Sequence, residues 1–441
     1  MTGIMNKELD VLFLNGTIIT MANEDRYALK GCVGVADGKI AYVGEEMPRV
    51  SAKRVIDCKN AIIMPGLINT HSHTSMTVMR GYADDYALDE WLYQKVFPAE
   101  ARLDARAVLA GFRLGAAEMI RNGVTSFSDM YCYEPDIARA AIEIGIRASL
   151  SNGVIAIGDG FDFENDRSIR ETRILMNEFN HAHNDLIRAD ASIHGEYTSL
   201  PVQWRFMRDI ALENNAVLHI HLSETKKEHE DCKKRRSMTP AEALYKEGVF
   251  EAKTLAAHCV WVEENDMDIM RENDVSVAHC PVSNLKLASG IANIKQLMKS
   301  GVNVALGTDG CCSNNTLDLF EEIKLAALLA KGVANDSTAV SAYDALKMAT
   351  VNGAIAQDRA NIGQIKEGFD ADLILIDANA LNMNPLYDVM GAIVYGAHGS
   401  DVKLTMVQGK ILFENGEFTT IDTEKALYEV NAYGKKKVLG L

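Results

Sequence analysis

His71-Ser72-His73 sets two imidazoles on one side of an extended segment, because side chains alternate along a strand, and both can face one cation. His221 offers a third ring nitrogen and Asp309 a carboxylate oxygen. Three histidines and a carboxylate, completed by water, suit zinc or a similar divalent metal. Such a centre activates water for hydrolysis at neutral pH. The chemistry also needs a proton carrier. Glu224 lies three residues after His221, near enough to reach that water without ligating the metal, although a lone glutamate there also reads as a helix-start charge. His258 is a candidate to stabilise charge developing on the attacked group, or else a hydrogen-bonded core histidine. His-x-His alone is a weak signal; its weight comes from the elements that carry it.

Those elements alternate. Between about residues 61 and 365, apolar strand-like runs are separated by helical stretches. Eight runs qualify: Ala61–Leu67, Val124–Asp129, Arg147–Asn152, Ala189–His194, Ala216–Leu222, Thr254–Val260, Val275–His279 and Asn303–Asp309. The clearest helix spans Asp104 to Asn122, with Asp104 as N-cap and Gly123 at the position past the end that favours glycine. Eight strand–helix repeats predict a (β/α)8 barrel of the α/β class. His71 and His73 follow the first run, and Asn152, His194, His221, His258, His279 and Asp309 lie at or near the ends of others. In a barrel that is the catalytic face.

Both chain ends look different from the middle. Residues 9–60 carry short strands with tight turns, such as Asp37-Gly38-Lys39, and the C-terminal part repeats the pattern around Gln408-Gly409-Lys410. The expectation is one small β-sandwich domain composed of residues 1–60 and 366–441, with 61–365 inserted as the catalytic barrel. The net charge of −16 argues against nucleic-acid binding, which draws on basic faces. Lys233-Lys234-Arg235-Arg236 follows acidic residues and reads as a solvated helix face. None of the eight cysteines forms a C-x-x-C pair, no proline precedes a cysteine as a cytidine-type deaminase would require, and no apolar run is long enough to span a membrane. These features, with no signal-peptide pattern, predict a cytoplasmic protein with reduced thiols.

Pro65-Gly66-Leu67-Ile68-Asn69-Thr70-His71-Ser72-His73, His219-Ile220-His221-Leu222-Ser223-Glu224, Ala257-His258-Cys259 and Gly307-Thr308-Asp309-Gly310 together resemble the amidohydrolase superfamily. Glu90-Trp91-Leu92, Pro98-Ala99-Glu100 and Ser283-Asn284-Leu285-Lys286-Leu287 resemble its S-adenosylhomocysteine and 5′-methylthioadenosine deaminases, and the similarity covers nearly the whole chain. The resemblance implies a hydrolytic aminohydrolase holding one divalent metal, Zn2+ first and Fe2+ or Mn2+ as alternatives, on His71, His73, His221 and Asp309. The fourth run offers no lysine to bridge a second ion. It further implies Glu224, His258 and Asp309 as catalytic residues, and Trp91, Glu100, Asn152, His194, Glu196 and His279 as substrate contacts. The partner is a small heterocycle, with no nucleic acid or membrane, and the family is commonly oligomeric. Family members carry an arginine where this chain has Asn152, and Ala-Pro where it has Gly195-Glu196. A lost arginine and an added acid point toward a 5′-modified adenosine with a neutral tail, 5′-methylthioadenosine or 5′-deoxyadenosine ahead of S-adenosylhomocysteine. Guanine, a pterin or an s-triazine is the alternative substrate, and a non-catalytic scaffold the distant one.

Overall fold

Short runs of small and branched apolar residues, buried along most of their length, form the interior strands of the computed structural model, which describes residues 8–22, 28–86, 90–156 and 160–441. One parallel sheet contains β1 (Leu67–His73), β2 (Val124–Met130), β3 (Arg147–Ser151) and β4 (Ile187–Ala189). A second contains β5 (Ala191–Gly195), β6 (Leu218–Leu222), β7 (Thr254–His258), β8 (Ser276–His279) and β9 (Asn303–Leu306), also parallel. The short β10 (Asp309–Gly310) returns to the first sheet beside β1, with Asp309 opposite Ser72 and Gly310 opposite His73.

The chain passes between the two sheets at two places. Only Asp190 separates β4 from β5; its N–H bonds Leu150 O at 2.9 Å, and the next N–H bonds Val217 O at 2.9 Å. Gly307 and Thr308 separate β9 from β10, donating to His279 O at 3.0 Å and His71 O at 3.1 Å. Gly307 is required there: an added Cβ would stand 2.8 Å from His71.

The expected first strand, Ala61–Leu67, divides at Gly66. Ile62–Pro65 pairs with strands from the chain ends, and Leu67–His73 lies beside β2, so both histidines sit within the strand rather than after it. A Cβ at Gly66 would meet Thr125 Oγ1 at 2.1 Å, which is why the seam needs glycine.

Helices separate the strands. The longest, α1 (Ala105–Arg121), starts as expected: the Asp104 carboxylate accepts from Ala107 N at 3.0 Å, and Gly123 takes φ 82° just beyond the end. Two others matter below, α2 (Arg167–Ile174) and α3 (Lys226–Arg236).

Leu9–Ile18, Leu29–Ala36, Lys39–Gly44, Ala52–Asp57 and Ile62–Pro65 join Leu373–Ile376, Val402–Val407, Lys410–Glu414 and Glu417–Phe418 in one nine-stranded sheet. The two chain ends meet where Ile62–Pro65 runs antiparallel to Leu373–Ile376. Phe13, Val33, Ile63, Leu373 and Met406 are fully buried in its core. An ion pair fastens this sheet to the parallel one: Arg147 of β3, 1% exposed, bonds Asp372 at 2.8 Å and Asp370 at 3.0 Å. All eight cysteines are free thiols, seven of them buried. Among the described residues no helix is long and apolar enough to cross a membrane.

Candidate active site

His71, His73, His221 and His258 come from the carboxyl-terminal parts of β1, β6 and β7, Asp309 opens the short β10, and the fold brings them together. Candidate ligand atoms of His71, His73 and His221 lie within 4.8 Å of one another, as do those of His71, His258 and Asp309. Asp309 Oδ1 is 3.4 Å from His71 Nε2 and 3.1 Å from His73 Nε2. Its other oxygen is anchored by the hydroxyls of Ser283 and Ser313, each at 2.6 Å.

The backbone sets the tautomers. His73 Nδ1 meets Met130 O at 2.5 Å, and His221 Nδ1 meets His194 O at 2.6 Å. A carbonyl only accepts, so both Nδ1 atoms carry the proton and both Nε2 atoms are left to bind. His71 Nδ1 is paired with His219 Nε2 at 2.9 Å, and His71 Nε2 is buried with no hydrogen-bond partner. An orphaned ring nitrogen beside two oriented ones and a carboxylate is a donor set that fits one divalent metal.

Electrostatics agree. Burial lowers His71 to about 4 and holds His221 well below the usual imidazole range, so both offer lone pairs at neutral pH. Burial acts the same way on His73, but its contact with Asp309 more than offsets that and raises it to about 9. Asp309 itself stays well below the carboxylate range because the two rings outweigh its burial. The carboxylate draws positive charge to this end of the site.

Glu224 is presented by a turn in which Ser223 adopts φ 46°. Glu228, in the first turn of α3, makes that turn: its carboxylate accepts from Ser223 N at 2.9 Å and Glu224 N at 2.7 Å. Burial raises the Glu224 carboxyl above its ordinary value, with His258 acting against it. Glu224 Oε2 is 3.9 Å from His258 Nε2. His258 Nδ1 faces Asn284 Oδ1 at 2.9 Å, an oxygen that only accepts, so Nδ1 carries a proton and Nε2 is the nitrogen turned toward Glu224.

These groups open into a cavity of about 400 Å³. Among the expected residues, His73, Trp91, Glu100, Asn152, His194, His221, Glu224, His258 and Asp309 line it. His71 lies fully buried behind. Two expected substrate contacts are corrected. Glu196 does not line the cavity: its carboxylate is held by Arg235 and Arg236 of α3, each at 2.6 Å, so half of the basic run expected on a solvated face is tied to it. His279 is 2% exposed, absent from the lining, and its carbonyl serves the β9–β10 connection.

A model of the Amidohydrolase family matches residues 62–412. The chain belongs to the amidohydrolase family. This amidohydrolase is 41% identical over 435 residues to a 5-methylthioadenosine/S-adenosylhomocysteine deaminase of Acetivibrio thermocellus, covering 97% of this chain and 99% of the relative. It is 41% identical over 429 residues to a 5′-deoxyadenosine deaminase of Methanosarcina mazei, covering 97% and 98%. Its structure matches that of an adenosine deaminase from Xanthomonas campestris with bound zinc, at a TM-score of 0.92 and 31% identity over 99% of this chain and 100% of that one.

The cavity of this amidohydrolase also contains residues that sequence reasoning passed over. Arg167 lines it from the first turn of α2, beside Asp166, whose side chain caps that helix. A signal existed: an arginine at a helix start opposes the helix dipole and needs another reason to be there. Tyr131 and Cys132 also line the cavity just past β2. His219 and Glu228 support the site from behind; the first was legible as the other half of His219-Ile220-His221, the second as the last residue of a Thr-x-x-Glu capping box.

Proposed function

We propose that this amidohydrolase removes the exocyclic amine of a 5′-modified adenosine by hydrolysis, giving the inosine analogue and ammonia. The observation that carries the reading is the convergence on one cavity of Glu224, His258 and Asp309 beside the three oriented histidines. Deaminase relatives that match almost end to end support the nucleoside. His71, His73, His221 and Asp309 would hold one divalent metal, Zn2+ ahead of Fe2+ or Mn2+, which when bound activates water for attack at neutral pH. Asp309 takes a proton from the attacking water. Glu224, its carboxyl raised by burial, delivers a proton to the ring nitrogen next to the attacked carbon. His258 stabilises the negative charge that develops on the attacking oxygen, and the proton held by Asp309 passes to the amine, which leaves as ammonia while Glu224 recovers a proton from the new hydroxyl to leave the carbonyl. Trp91, Glu100, Asn152 and His194 wall the nucleoside, and Arg167 joins them.

We further infer that the two parallel sheets are one closed (β/α)8 barrel, with β4–β5 and β9–β10 each a single interrupted strand. The nine-stranded sheet wraps its own core as the β-sandwich composed of both chain ends. The boundary then falls at Gly66, between the strand that serves the sandwich and the strand that carries the histidines.

Ammonia release from zinc-loaded enzyme tests the function, using adenosine, 5′-deoxyadenosine, 5′-methylthioadenosine, S-adenosylhomocysteine, guanine, a pterin and an aminotriazine, with Asp309→Asn as control. Release from the 5′-modified adenosines, lost in the variant, is expected. Release only from another ring transfers the function to that ring, and silence throughout overturns deamination.

A further inference from the structure

The side of the cavity walled by the chain following β3 carries a charge arrangement that the chemistry above does not use. Asn152, Gly153, Ile155 and Arg167 form it, with Tyr133 from the chain after β2 beside Arg167. Arg167 is the only lysine or arginine among the described residues that line the cavity. Its Nε lies 3.9 Å from Glu171 Oε1, one turn along α2, and its guanidinium stands 4.9 Å from the centre of the Tyr133 ring. The second oxygen of Glu171 accepts from Asn152 Nδ2 at 2.7 Å. Glu171 is only 8% exposed, so solvent screens it weakly.

One buried carboxylate therefore engages both the guanidinium and the amide of this side. The guanidinium is partly compensated and one amide N–H is already used. Glu224, His258 and Asp309 line the same cavity from other strands, and an adenosine seated with its amine among them would extend its 5′ substituent toward this wall. A substituent ending in a carboxylate would meet Glu171 through Arg167, and specificity is often set by such a repulsive element. An uncharged one would pack against Tyr133 and Ile155 without disturbing the pair.

We propose that Glu171 is a specificity-determining residue: by compensating Arg167 and occupying the Asn152 amide, it makes this cavity select an uncharged 5′ substituent over an anionic one. This rests on the deaminase reading above. It also replaces Glu196, whose charge is neutralised elsewhere, as the acid that shapes the tail pocket.

A matched pair of substrates tests it: adenosine-5′-carboxylate and adenosine-5′-carboxamide, nearly equal in size and different in charge, with 5′-methylthioadenosine as reference. The zinc-loaded wild type is expected to favour the carboxamide by about tenfold or more in kcat/KM, the scale of one weakly screened like charge. Glu171→Gln is expected to bring that ratio to within about threefold, mainly by lowering KM for the carboxylate. Arg167→Gln, at an exposed position that tolerates exchange, serves if the first variant does not fold. It leaves Glu171 uncompensated and is expected to widen the ratio. Equal use of both substrates by the wild type overturns the role of Glu171, as does an unchanged ratio in folded Glu171→Gln or a narrowed one in Arg167→Gln. No ammonia from any of the three substrates overturns the deaminase reading itself, and the role of Glu171 with it.

Discussion

Each of two proposed metal ligands is turned by a carbonyl of the strand next to its own: His73 by Met130 at the end of β2, and His221 by His194 of β5. The donor set is therefore written into strand register, and its members need no further adjustment to face one ion. Glu224 is different, because it stands on a left-handed turn and is aimed by Glu228. Glu224→Gln is expected to lower turnover by about a thousandfold, the range of a lost general acid, while zinc content by elemental analysis stays at one per chain. Zinc loss in that variant would make Glu224 a ligand instead. Glu228→Ala strips two N–H groups of their acceptor. It is expected to destabilise the protein by about 1–3 kcal/mol in denaturant titration and to lower kcat by up to about a hundredfold through misplacement of Glu224. The proposed ligands were legible because each lies in a short motif on or beside a strand. Arg167 and Glu171 were not, because Arg167 reaches the cavity, with Glu171 behind it, from a helix that follows a loop, and nothing local says which way such a helix faces. Glu196 misled for the same reason: Arg235 and Arg236 reach it from about 40 positions away.

At the scale of elements, the alternation of buried runs and helices announced the parallel strands, and capping at Asp104 announced α1. The first strand slipped because Ile62–Pro65 and Leu67–His73 read as one apolar run, and only pairing partners tell them apart. Asp190 marks another place where sequence alone is silent. It is an acid between two strand segments, and burial raises it to about 7 although Arg359 and Arg188 act against the rise. An unfolded aspartate titrates near 3.9. Between about pH 4 and pH 7 the folded state thus binds the extra proton, and stability falls as pH rises through that window, levelling above it. Asp190→Asn removes this slope. Thermal unfolding followed from pH 4 to 8 should show the variant gaining on the wild type up to about pH 7 and then running parallel; parallel curves throughout would refute the shift.

At the scale of the molecule, Arg147 ties the sheet built from both chain ends to the strands of the site. Removing one partner of a buried ion pair leaves an uncompensated charge, so Asp372→Ala is expected to cost about 3–5 kcal/mol. Chemical denaturation read by tryptophan fluorescence measures it, and a cost under 1 kcal/mol would show the clamp to be dispensable. Chelation should lower the unfolding temperature reversibly, with zinc restoring it, since a ligand that binds only the folded state stabilises it by mass action.

The antiparallel pairing of Ile62–Pro65 with Leu373–Ile376 also has a meaning in time. Pro65 is opposite Leu373, and at 5–20 residues per second a ribosome needs about 15–60 s to make the intervening chain. Throughout that interval the early strands present an unpaired edge to everything near the exit tunnel. The nascent protein is thus expected to be a client for chaperones during most of its synthesis, and chains halted before Leu373 should accumulate on a holdase or in the insoluble fraction, while full-length chains do not.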